Sequence, residues 1–295
     1  MTDGLTFDEY EERSGETDLE PETDDLTIPL LGLGGEIGTV LSEYKKKRRR
    51  DGVAYTGFED TLKAELGDVL WYLAAVARRS KLSLSAIAEA NLDKTRHRWL
   101  DDPARRRLNF DADFGDSESL PRKFDAIFSV SHDADLRPHS QMTILGDEIG
   151  DPINDNARED DHYRFHDVFH LSYAAVLGWS PVLRKLLERK RKSDKETDEA
   201  EDGARAAATE EAVVALVFNM AAAYEYFERS EHVDGDILHA VQVITSKLEI
   251  GIAALRDWEL AILSGFNVWR QLRDADGGTV RVDLDQGTLH VIDTS

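Results

Sequence analysis

The chain is predicted to be mainly α: a helical bundle, a second helical block, a small β-containing linker between them and a C-terminal hairpin. Three observations lead there. Apolar residues recur at helical spacing from Leu30 to about Leu100, and again from Tyr163 to about Arg273. Between about Leu108 and Ile149 that period fades and turn residues accumulate. Finally, 295 residues are enough for one large or two ordinary domains, each with its own core. The resulting division is 1–105 for the bundle, 106–150 for the linker, 151–275 for the second block and 276–295 for the hairpin.

Residues 1 to about 26 are acidic and poor in core formers, so they read as an arm with one short helix near Phe7 to Arg13. In the first long helix, Leu33, Ile37, Val40, Leu41 and Tyr44 form the stripe, and the basic run Lys45 to Arg50 before Asp51-Gly52 suits a C-terminus. The second runs from Phe58 to Arg79 on Leu62, Val69, Leu70, Leu73 and Val76, and the third from the N-cap Ser83 to about Leu100. Short connections favour antiparallel packing. At these spacings Trp71, Tyr72 and Trp99 read as core.

In the linker, Phe124 to Val130 and Met142 to Leu145 read as short strands. The run GDPINDNAREDD is a turn-rich loop. The second block has helices over Tyr163 to Leu177, from Ser180-Pro181 to about Lys192, Ala204 to Phe227, and Asp234 to about Arg273 with a break near Gly251. SDKETDEAEDG reads as a loop. Val280, Val282 and Leu284, then Leu289 and Val291, flank Asp285-Gln286-Gly287 as a hairpin. ELGDVLWYLA at Glu65 and EAVVALVFNMA at Glu211 echo each other, so the second block reads either as a diverged copy making an internal pseudo-dimer or as an unrelated amphipathic repeat.

Charge narrows the partners. With 59 acidic against 36 basic residues, a net charge of −23 repels a phosphate backbone, so no nucleic acid partner is expected. The absence of cysteine excludes disulfides, thiolate metal sites and a cysteine nucleophile. No basic region followed by an apolar run opens the sequence and no stretch reads as a membrane span, so a cytoplasmic protein with no membrane partner is expected.

Carboxylates and histidines remain as metal ligands. Glu65 and Asp68, three apart, project from one helix face, and Glu36 and Glu43, two turns apart, share another. Antiparallel packing would bring these four acids to one pocket needing a counterion, and Mg2+ fits because it prefers oxygen ligands and leaves room for water and phosphate oxygens. The other reading is two solvated acidic faces. Asn91, Lys94 and Arg98, at i, i+3 and i+7, make a donor row for phosphate oxygens and a base or sugar, or an exposed basic face.

The stretch LGLGGEIGTVLSEYKKKRRR followed by ELGDVLWYLAAVARRSKLSLSAIAEANLDKTRHRW resembles the MazG-like all-α nucleoside triphosphate pyrophosphohydrolases, over about residues 5–100. The resemblance implies a helical bundle that usually dimerises and Mg2+-dependent release of pyrophosphate from an NTP or dNTP, with Mn2+ as substitute. It also implies Glu36, Glu65 and Asp68 as metal ligands and Asn91, Lys94 and Arg98 as substrate contacts. One departure stands out: the family's first motif is ExxE, and here Thr39 occupies the second acid's place. Glu43, one turn on, is the substitute, and Glu36 or Glu43 would orient the attacking water. If the missing acid abolishes turnover, a nucleotide-binding sensor or regulatory subunit is the alternative.

In the second block, His166 and His170 lie four apart with Asp167 beside them, which with Glu210 or Glu211 of the next helix makes either half of a metal site and a second phosphohydrolase centre, or a structural or substrate-contacting cluster. The expected setting is nucleotide-pool housekeeping, stress or phage defence, in a homo-oligomer or pseudo-dimer.

Overall fold

The computed structural model describes residues 4–19, 24–49, 55–99 and 107–292. The chain divides into two compact units, Met1–Arg96 and His97–Ser295.

The first unit is helical. Helix α1 is Phe7–Gly15, α2 Thr27–Arg49, α3 Phe58–Arg79 and α4 Leu84–Trp99. The acidic N-terminal segment is not a loose arm. A capping box between Thr6 and Glu9 starts α1, Arg78 donates to Ser14 Oγ at 2.7 Å and to Asp18 at 3.2 Å, and Trp71 donates to Thr17 Oγ1 at 2.9 Å. Glu11 accepts the Leu84 N–H at 2.9 Å, so α1 helps cap α4, whose Ser83 N-cap accepts from Ala86 N at 3.3 Å. Sequence patterning misses this because each partner is polar.

Asp25 accepts from Thr27 N and Oγ1, so α2 begins three residues before the expected Leu30, with Pro29 in its first turn. Its expected terminus at Asp51-Gly52 lies outside the described residues. Helices α2 and α3 pack together through a close approach at Gly32, where a Cβ would lie 2.1 Å from Tyr72 Cε1. Gly32→Ala is therefore expected to displace the Tyr72 ring and cost about 1–3 kcal/mol, read as a lowered denaturation midpoint; an unchanged midpoint would refute this packing.

The core of this unit is thin. Phe58, Ala74, Ala75 and Ala77 are its buried residues on α3, while Leu73 on the expected stripe is 36 % exposed. On α2 the expected core residues Ile37, Leu41 and Tyr44 are 46, 64 and 55 % exposed, because among the described residues α2 packs chiefly on α3.

In the second unit the linker and hairpin are strands of one antiparallel sheet: β1 Lys123–His132, β2 Pro138–Ile144, β3 Asp147–Ile153, β4 Gly278–Asp283 and β5 Thr288–Ile292, in the order β3-β2-β1-β4-β5. Residues 150 apart and more pair across β1 and β4, Ala126 with Val280 and Phe124 with Val282, which local patterning cannot foresee. The hairpin register, Val280 with Val291 and Val282 with Leu289, follows the alternation.

The sheet's apolar residues share one core with α5 (Asp167–Leu177) and α10 (Leu255–Ala275). Helix α5 is preceded by a 3₁₀ turn at Tyr163–Phe165 and buried along nearly its whole length. It ends at Gly178, where a φ of +67° and the 2.6 Å that would separate an added Cβ from Leu108 O demand glycine. Helix α6 (Pro181–Leu186) has the expected Ser180 N-cap but stops well short of Lys192. The expected loop SDKETDEAEDG contains helix α7 (Lys195–Ala200), started by Asp194 accepting from Thr197 N. Helix α8 (Ala204–Ala221) runs into a 3₁₀ segment ending at Phe227; α9 is Gly235–Thr245.

Against expectation, Ala204–Phe227 is long and apolar enough to span a membrane by length and composition, with mean hydropathy 1.4. Its buried Val213, Val214, Val217 and Phe218 belong to the core, and the buried Glu210 lies on the same helix. The second unit thus combines an antiparallel sheet with helices, and no strand is present among the described residues of the first.

Candidate functional site

Helices α2 and α3 bring Glu36, Glu65 and Asp68 together: one carboxylate oxygen from each lies within 4.8 Å of the others. Glu36 and Glu65 are half-buried and Asp68 exposed. Among the described residues, no hydrogen bond or ion pair engages any of the three side chains. Three convergent acids without a hydrogen-bond or ion-pair partner form an all-oxygen donor set, with Lys46 the cation that feels Glu65 from nearby.

Glu43 does not join them. It is 4 % exposed, ion-paired with Lys46 and hydrogen-bonded by Tyr55 Oη at 2.8 Å. These two hydrogen bonds, Lys46 first, hold its carboxyl below its ordinary value of 4.5. Glu43→Gln is therefore expected to lose stability relative to the parent above that value, and the gap should close as pH falls through the lowered one; a gap that persists in melts at about pH 3 would refute the assignment. Thr39 turns back on its own helix, donating to Gly35 O at 3.3 Å.

The donor row is on α4. Asn91 is exposed; Lys94 and Arg98 lie on the same helix, with side chains outside the described residues. Trp71 and Tyr72, expected in the core, are partly buried, and the Trp99 side chain lies outside the described residues.

The second unit holds another group. His166, at the start of α5, His170 one turn on and Glu211 of α8 each present one ligand atom within 4.8 Å of the others. His170 Nδ1 faces Glu210 Oε1 at 2.8 Å, and Glu210 also accepts from Ser180 Oγ at 2.7 Å and Val182 N at 2.8 Å. Glu210 is thus a fully engaged support behind His170, and Glu211 faces the cluster. Burial disfavours charge on His170, but Glu210 and Glu211 overcome it and push it up to about 10. Asp167, 3.9 Å from His166 Nε2, completes the surroundings.

Residues 105–295 match the MazG C-terminal domain, and residues 31–100 the MazG nucleotide pyrophosphohydrolase domain. The chain is also similar to the Gene 37 protein of Mycobacterium phage L5, 36 % identical over 101 residues that make up 32 % of this chain and 89 % of that protein. No solved structure matches.

Proposed function

The chain belongs to the MazG family and is a hydrolase acting on nucleotides, and we propose that it converts an NTP or dNTP to the monophosphate and pyrophosphate at the Glu36, Glu65 and Asp68 site. The observation that carries this reading is the convergence of three unpaired carboxylates within the segment that matches the pyrophosphohydrolase domain. All-oxygen donors of this kind fit Mg2+ and fit zinc poorly. A bound divalent ion there would supply polarisation of the phosphates and a more acidic water. Glu36 from α2 and Glu65 and Asp68 from α3 would hold that ion, and Glu36 would also orient the water that attacks the α-phosphorus. Asn91, Lys94 and Arg98 take the phosphate oxygens and sugar or base.

The apolar side chains left on α2, Leu30, Ile37, Leu41 and Tyr44, fall at spacings of seven, four and three and form one exposed stripe. A second copy of this chain covers it in our reading, giving a homodimer; a monomer by light scattering would remove that part.

Incubating the protein with each NTP and dNTP plus Mg2+ tests the whole. Pyrophosphate and NMP are the expected products. Thermal stabilisation by nucleotide without any product would instead favour the sensor made by loss of the acid at Thr39.

A further inference from the structure

The histidine cluster of the second unit has features that a buried ion-pair network does not need. His166 Nδ1 lies 3.0 Å from Tyr163 O and His170 Nδ1 lies 2.8 Å from Glu210, so both rings use Nδ1 as donor; His170 Nε2 is left facing Glu211 and His166 Nε2 lies 3.9 Å from Asp167. A carboxylate or carbonyl behind the imidazole is how metal-binding histidines are held in tautomer and orientation. His166 is further fixed by stacking on Tyr163, centroids 4.4 Å apart.

The second histidine supplies an independent sign. His170 is fully buried, and its Nε2 has no hydrogen-bond partner, the closest acceptor being Glu211 Oε2 at 3.6 Å. A fully buried nitrogen aimed at an acid but beyond bonding distance leaves room for something between them. Ligand atoms on tetrahedral zinc stand about 3.3 Å apart, within reach for the half-exposed Glu211 side chain.

The cluster also opens onto space. His166, Asp167 and Glu211 line a cavity of about 550 Å³, the size of a small-molecule site. Its wall includes Lys185, which makes no ion pair among the described residues, and Gly203-Ala204, where the 18-residue helix α8 begins without a side-chain cap. Cation and helix start both favour an anion beside the acids.

We propose that His166, His170 and Glu211 bind a divalent transition metal ion of the zinc class, and that its exchangeable ligand is a phosphorylated small molecule held by Lys185 and the start of α8. Two nitrogens and one carboxylate leave an open coordination position toward the cavity. This site is separate in chemistry from the all-oxygen group of the first unit, and its existence does not depend on the activity proposed there.

The test uses the full chain carrying Glu36→Gln and Glu65→Gln, which removes two of the first unit's three ligands. After chelator treatment it is titrated with Co2+ and with Zn2+, followed by calorimetry and by the cobalt absorption bands. One equivalent of metal with an imidazole-type cobalt spectrum is expected. His166→Ala and Glu211→Gln should each weaken binding by about tenfold or more while the thermal midpoint of the metal-free chain holds. These two are chosen because neither removes the fully buried His170. No stoichiometric uptake, or uptake unchanged in both variants, would overturn the site and leave His170 as a proton-bridged partner of Glu210 and Glu211.

The zinc-loaded chain is then titrated with inorganic phosphate and with nucleoside monophosphates. Binding of either that is lost on metal removal and weakened by Lys185→Gln supports the ligand assignment, and the one that binds tells a free phosphate from a nucleotide; binding of neither overturns it.

Discussion

Glu65→Gln is expected to lower pyrophosphate release by about a hundredfold or more, a barrier increase of roughly 3 kcal/mol or above. The change keeps the size of the side chain and removes only its charge and one acceptor, at a half-buried position that no described side chain pairs with. Its effect therefore reads the site and not the packing of α3, and the thermal midpoint should hold or rise as three mutually repelling acids become two. Glu43→Gln provides the contrast. Because Lys46 and Tyr55 already occupy that carboxylate, turnover should fall only a few-fold, about 1 kcal/mol or less. Equal losses in the two variants would mean that Glu43 leaves its partners to act as the fourth acid. Thr39→Glu completes the set: it returns an acid to the face shared by Glu36 and should tighten the dependence on Mg2+. Unchanged turnover in Glu65→Gln would sink the site.

The parts of this site that are local in sequence were legible there. Glu65 and Asp68 share a helix face by their spacing alone, and His166 with His170 likewise, because a helix fixes which side chains are neighbours. The convergence of Glu36 on the α3 pair needed only that two amphipathic helices pack. Glu43 was misread for a reason that spacing cannot reveal: it lies two turns from Glu36, yet Tyr55, twelve residues on and outside any helix, captures it. The roles of Glu210 and Glu211 were equally hidden. They are adjacent and chemically identical, and only the placement of Ser180 and Val182 on the far side of the chain's turn decides which one is buried support and which faces the cavity. The sheet was missed as a unit because its pairing of β1 with β4 spans most of the second unit, and the α1 contacts because they join polar groups, to which hydrophobic periodicity is blind.

The largest loss of stability is expected at a residue that carries no periodicity at all. Asp202 is 1 % exposed and sits between two arginines that are themselves buried. It accepts from Arg191 N at 2.7 Å, Arg191 Nη2 at 2.6 Å and Arg191 Nε, and Arg184 Nε stands 3.7 Å away. Arg191 has a second acid in Glu249 at 2.7 Å, and Arg184 a second in Asp111, so the network is two cations held by three acids. Removing Asp202 would leave Arg191 N and Nε without an acceptor in a desolvated place and each arginine with one acid in place of two, whereas the gain from the pairs themselves is small once desolvation is counted. Asp202→Ala is therefore expected to cost about 3–5 kcal/mol, a fall of roughly 6–20 °C in the melting midpoint of a unit this size. Asp202→Asn, which keeps an acceptor for the Arg191 backbone N–H while losing the charge, should fall between the parent and the alanine variant. The signal is the near-ultraviolet circular dichroism of the buried Trp179, Trp258 and Trp269, all of which lie in this unit. Because Asp202 immediately precedes Gly203 and both line the 550 Å³ cavity, partial loosening should show first as increased hydrogen exchange at the start of α8, before the unit unfolds. An alanine variant that melts within about 1 kcal/mol of the parent would show that Glu249 and Asp111 suffice to neutralise both arginines, and that the network is redundant.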